Sequence, residues 1–130
     1  MQHKSLFEYA VIRIVPRVER EEFLNTGIIL YCHEQKFLQV RFEINEARLN
    51  SFAPNTDMEL LHNYLCAFKL ICTGDATGGP ISKLPAAERF RWLTAARSTM
   101  LQTSHVHSGL CTDAAETLEQ LYIKLVSESK

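Results

Sequence analysis

Residues 22–33 read EFLNTGIILYCH, a charged, helix-prone turn joined through Asn25, Thr26 and Gly27 to the most apolar run of the chain. Residues 28–32 are uninterrupted apolar, with the β-branched and aromatic side chains that suit a pleated, packed surface. A short apolar run without alternation predicts a strand covered on both faces, so sheet and helices should gather about it. Gly27 permits a turn or a close backbone approach that a Cβ would obstruct. Glu22 and Asn25, polar groups at the entry to a buried strand, must find partners.

Upstream, residues 7–15 (FEYAVIRIV) predict a first strand ended by Pro16. Phe7, Tyr9, Val11, Arg13 and Val15 take one face, and Glu8, Ala10, Ile12 and Ile14 the other. Arg13 is the residue out of place. Residues 17–25 are dense in charge and predict a short helical turn. Downstream, a turn at 33–36 leads into KFLQVRFE (36–43), in which Leu38, Val40 and Phe42 alternate with polar neighbours. The whole of 26–43 therefore reads as an antiparallel hairpin.

Helices follow. Asn45 caps a short one that ends at Phe52, before Pro54. Thr56 and Glu59 have the spacing of a capping box ahead of Met58, Leu61, Leu65, Phe68 and Cys72, a helical stripe that Gly74 should close. The stretch 73–83 is expected to be a flexible loop. Pro85 opens a helix to about Arg97. Residues 100–107 predict a last strand, and Thr112 or Asp113 caps a final helix with Ala115, Leu118, Leu121, Tyr122 and Leu125 inward. The expected fold is a single α+β domain over 1–130: an antiparallel sheet of the N-terminal strand and the 26–43 hairpin, packed by helices near 57–73, 85–97 and 112–126.

With 130 residues, 46% of them hydrophobic, the chain can bury a core without metal or disulfide support. A formal net charge of -1, from 14 basic and 15 acidic side chains, lacks the footprint of a nucleic-acid binder. No apolar stretch approaches the roughly 18 residues of a membrane span. Glu8 interrupts the segment that a secretory signal would need, so the expected location is the cytoplasm. Cys32, Cys66, Cys72 and Cys111 are scattered without a CxxC pair and read as reduced, mostly buried thiols.

Candidate chemistry is sparse. Gly74 and Gly79 have the spacing of a phosphate-binding loop, but Pro80 and Ile81 stand where the lysine and hydroxyl should be. His105 and His107 would share one side of a strand, with Cys111 beyond, which makes them weak metal candidates without a fourth ligand. Cys32 and His33, adjacent on a strand, face opposite ways and form a poor nucleophile–base pair. Arg89, Arg91 and Arg97 around Trp92 suit an interaction surface, or else a solvated helix face with an indole in the core. Arg13, Glu22, Asn25, Arg41 and Arg97 could join in a polar cluster, either a structural network or a ligand site. No cofactor is expected.

The opening FEYAVIRIVPRVEREEFLNTGIILYC, with its EF-x-N-x-G element, resembles domain of unknown function family 3037, a bacterial family. Weaker similarity continues through FLQVRF, RFRWL and the stretch from MLQTS to GLCTD. Thr26 departs from the pattern, standing where an apolar residue is more usual. The resemblance brings no catalytic residue with it. It implies a small accessory or regulatory protein rather than a stand-alone enzyme, with a HipA-like kinase as partner. Two readings follow: a cytoplasmic protein-interaction module, or a small enzyme or ligand-binding domain that takes a phosphate-bearing substrate at the Arg/Glu/Asn cluster. A protein partner is expected, and homo-oligomerisation stays open.

Overall fold

The apolar run folds as the strand β2 (Leu24–Cys32), flanked by β1 (Ser5–Ile14) on one side and β3 (Phe37–Phe42) on the other. The computed structural model describes residues 3–127. Two short strands, β4 (Leu101–Thr103) and β5 (His107–Cys111), divide the far edge of β1 between them. β5 pairs with the first half of β1, from Ser5 to Tyr9, and β4 with Ile12 to Ile14. Every pairing in this five-stranded sheet is antiparallel. Four helices complete the described α+β fold: α1 (Glu46–Phe52), α2 (Met58–Thr73), α3 (Ala86–Leu93) and α4 (Ala114–Leu125).

Ile28, Ile29 and Leu30 each have 0% exposure, which only a sheet covered on both faces allows. Ile29 and Tyr31 meet Ala10, Ile12 and Ile14 under α2 and α3, whose Leu61, Leu65, Phe90 and Leu93 close that layer. Ile28, Leu30 and Cys32 instead meet Phe7 and Val11 beneath Leu118 and Tyr122 of α4. The alternation of β1 and the continuous apolarity of β2 thus both follow from two cores. Ala114, rather than Ala115, is the buried alanine at the start of α4.

Gly27 serves close approach, not a left-handed turn. A Cβ there would lie 2.6 Å from Phe42 Cβ and 2.7 Å from the Arg41 carbonyl oxygen. The register slips just beside it: Ile12 faces Gly27, whereas Arg13 faces Asn25. Thr26, the extra residue of this bulge, is buried and donates its hydroxyl to the Glu43 carbonyl at 2.8 Å. A polar side chain at this buried position is therefore satisfied within the hairpin.

Several boundaries differ from expectation. Of the predicted helical turn over 17–25, only Val18–Arg20 forms a 3-10 turn, because Glu21 adopts a left-handed conformation (φ 56°) that sends Leu24 into the sheet. Helix α2 is capped by Asp57, which accepts from Leu60 N–H at 3.0 Å, while the Thr56 hydroxyl closes the preceding turn on Ala53 O. A carboxylate at that end also complements the helix dipole. Gly74 ends α2 in the left-handed region (φ 72°), as its position predicts. The 73–83 stretch contains two 3-10 turns, tied where the Ser82 hydroxyl meets the Asp75 and Gly79 carbonyls.

The last strand is split in two. At the break Ser104 is buried, and its Oγ accepts from Val11 N–H at 2.9 Å, standing in for the missing ladder carbonyl. A second tie binds the two ends of the fold. Gln35, in the β2–β3 turn, donates to Thr112 O (3.1 Å) and Ser5 Oγ (3.2 Å) and accepts from Ala114 N–H (2.9 Å).

Gly27→Ala should cost about 1–3 kcal/mol of stability by forcing β2 and β3 apart. Urea denaturation would read this, and an unchanged midpoint would contradict the close approach.

Candidate functional site

The proposed polar cluster does not assemble as one site. Arg13 and Asn25 are ladder neighbours. Asn25 donates Nδ2 to the Leu125 carbonyl at 3.1 Å, fastening the entry of β2 to the end of α4. Its Oδ1 and the Nε of Arg13 are buried without a hydrogen-bond partner. Glu22 is exposed and bonded to Arg20 at 2.8 Å, and that bond holds its carboxyl below the ordinary range. Glu22 pairs with Arg20 and not with Arg13, Arg41 or Arg97.

The arginines instead share a different habit, each lying over an aromatic ring. Arg13 Cζ sits 3.9 Å above Phe23, Arg41 4.1 Å above Tyr122 and Arg97 4.3 Å above Trp92. Arg41 also pairs with Glu119 at 3.3 Å. Tyr122 donates its hydroxyl to Glu43 at 2.9 Å. Burial first, then Glu43, pushes the phenol up to about 12.

The helix expected to reach Arg97 stops at Leu93. Arg97 folds back and donates to the carbonyls of Leu93 (3.1 Å), Ala95 (3.2 Å) and Trp92, closing the α3 end as a side-chain cap. Arg89 does the same for α2, donating to Cys72 O at 3.0 Å, and its Nε also ties down Leu84 O, just ahead of α3, at 2.9 Å. Arg91 is exposed.

The histidines do not converge on a metal. The break before β5 leaves His105 outside any strand, so His105 and His107 no longer share a strand face. His107 packs on the Tyr9 ring at 5.2 Å, and Cys111 is buried beside Gln35. Among the described residues, no group of three His, Cys, Asp or Glu side chains could hold a metal ion. Cys32, Cys72 and Cys111 are buried free thiols, whereas Cys66 is exposed. Burial pushes the Cys72 thiol up to about 12, far from a reactive thiolate.

A concavity of about 310 Å³ lies beside Asn25, Glu43 and Tyr122, and two others, neighbours of each other, both use Tyr64. A cleft of about 600 Å³ has apolar walls from Pro16, Phe52, Leu60 and Met100. Its charged lining, Arg17, Arg20, Glu22 and Asp57, balances to zero, and both arginines already pair with glutamates. A groove of about 240 Å³ lies between Phe68 and Ile71 of α2, Trp92 and Leu93 of α3, and Leu101 and Thr103 of β4. Trp92 is 42% exposed at this groove, so the indole is not a core side chain. The sequence pointed to Trp92 and Arg97, but only the fold brings β4 beside them.

A small α+β protein with a sheet buried on both faces and an apolar groove beside an exposed tryptophan is the class these features define. The chain belongs to the family described as Protein of unknown function (DUF3037), whose model matches residues 9–126. Neither a curated protein nor a solved structure matches it.

Asn25→Ala should lower stability by about 0.5–1.5 kcal/mol, the net value of an intramolecular hydrogen bond. Glu22→Gln, at an exposed, solvent-screened pair, should leave the denaturation midpoint of the parent unchanged. Chemical denaturation of the two variants checks the contrast, and equal losses would contradict it. The raised Tyr122 phenol sets a pH dependence. Its contribution is fully present below the ordinary value of 10.0 and is lost as pH rises towards about 12, where the unfolded chain ionises first. Stability measured over that range should fall less steeply in Tyr122→Phe than in the parent.

Proposed function

We propose that this protein is a cytoplasmic accessory or regulatory module that works by docking a protein partner at the groove between α2, α3 and β4. The observation that carries this reading is Trp92, 42% exposed at the groove with the Arg97 guanidinium 4.3 Å over its ring. Partly exposed tryptophan beside arginine is the composition that dominates binding hot spots, since it offers large apolar area with little rotamer entropy to lose. The alternative, a phosphate-bearing substrate at an arginine cluster, has less support. Arg17, Arg20 and Arg41 face carboxylates, and Arg97 stands at its groove without a second arginine.

The partner implied by the family resemblance is a HipA-like kinase. Mixing the two purified proteins should give a complex on size exclusion, with Trp92→Ala weakening it about tenfold or more in calorimetric titration. Trp92→Ala must keep the parent melting temperature for the comparison to count. Equal affinity for the variant would remove the groove from the interface, and absence of any complex would remove the kinase as partner.

A further inference from the structure

One wall of the groove is a strand edge, and its backbone polarity can be read from the ladder. Val15 N–H donates to Met100 O at 2.6 Å and Ser104 N–H to Val11 O at 2.8 Å. These bonds bracket the β1–β4 pairing, so Arg13 and Gln102 form the hydrogen-bonded pair between them. Leu101 and Thr103 therefore turn their backbone N–H and C=O groups away from β1, towards the open side of β4. The Leu101 carbonyl is partly occupied there, accepting the Thr99 hydroxyl at 2.9 Å. Both residues also line the groove. A strand laid along this edge would set alternate side chains on the groove side, between Phe68 and Trp92.

Charge narrows the choice of strand. Arg97 lines the same groove, and it donates to the neutral carbonyls of Leu93, Ala95 and Trp92. The ion pairs among the described residues join Glu34, Glu19, Glu22 and Glu119 to His3, Arg17, Arg20 and Arg41, leaving Arg97 without an acid. A guanidinium beside an apolar groove complements a carboxylate carried next to an apolar side chain. The groove's 240 Å³ falls below the roughly 300 Å³ at which small-molecule pockets begin, which suits a side chain rather than a whole cofactor.

We propose that the groove binds an extended peptide segment of the partner, paired through its backbone with β4. One aliphatic side chain sits between Phe68, Trp92 and Leu93, and a neighbouring carboxylate faces Arg97. This rests on the docking role of the groove and adds the chemistry of what docks.

Trp92 is the chain's single tryptophan, so its emission reports groove occupancy without a label. The probe is an acetylated hexapeptide alternating threonine and leucine and ending in a free carboxylate. Three companions each remove one contact: a C-terminal amide, a peptide N-methylated along one edge, and a peptide with serine for leucine. The acid should shift the Trp92 emission saturably, and each companion should bind about tenfold or more weakly. Arg97→Gln should abolish the difference between acid and amide. The peptide series on the parent protein tests the same contact should that variant misfold.

No saturable shift, or equal binding of all four peptides, would overturn the proposal. So would an equal shift from inorganic phosphate, which would make Arg97 a simple anion site. Sedimentation showing that the protein covers Trp92 by pairing with a second copy of itself would also overturn it. The kinase titration separates the two levels. A complex sensitive to Trp92→Ala but indifferent to the acid peptide would keep the docking role and discard the strand-pairing proposal. A complex indifferent to Trp92→Ala would discard both.

Discussion

The constraint on which the rest of the structure depends is the exclusion of water from both faces of β2. Three consecutive residues, Ile28, Ile29 and Leu30, point alternately into two cores and are closed off in each. A strand buried in this way cannot lie at an edge, so β1 and β3 must flank it. It also cannot leave a face bare, so α2 and α3 cover one side and α4 the other. The polar cost at its entry is met in part, by the Thr26 hydroxyl on Glu43 and the Asn25 Nδ2 on the last turn of α4, while Asn25 Oδ1 and Arg13 Nε stay unpaired. Gln35 performs the matching task at the opposite end, holding the β2–β3 turn against the start of α4 and the first residue of β1.

The parts legible in the sequence are those whose cause is local or periodic. The hairpin follows from alternation, α2 from its apolar stripe and Gly74, and α4 from its stripe and the Asp113 cap. What escaped has distant or competing causes. The cap of α2 fell to Asp57 because its carboxylate outcompetes the Thr56 hydroxyl, a contest between adjacent residues that spacing cannot decide. Residues 94–97 carry helical composition, yet the Arg97 side chain consumes the carbonyls that a continuing helix would have used. The division between β4 and β5 rests on Ser104 reaching Val11, a contact across most of the chain.

The candidate site shows the same division. Trp92 and Arg97 stood out as residue types, since an aromatic among arginines is a recognisable surface composition. Their partner across the groove did not, because Leu101 and Thr103 read as an ordinary strand until the register placed them on an edge. Glu22 is taken up by Arg20, two residues away, beside the left-handed Glu21, and no side-chain pattern announces that backbone turn. The arginine–ring stacks were likewise hidden, because Tyr122 comes to Arg41 from the far end of the sequence.

The sharing of one β1 edge by β4 and β5 has a consequence for how the chain is made. During synthesis β1, β2 and β3 leave the ribosome early and can pair at once. The other edge of β1 must wait until α2 and α3 have been translated and β4 and β5 follow. For that interval the nascent sheet carries a long apolar strand with one row of backbone groups unpaired, the geometry that invites pairing with another chain. Residues 101–111, late in the chain, therefore seal the edge that the early hairpin leaves open.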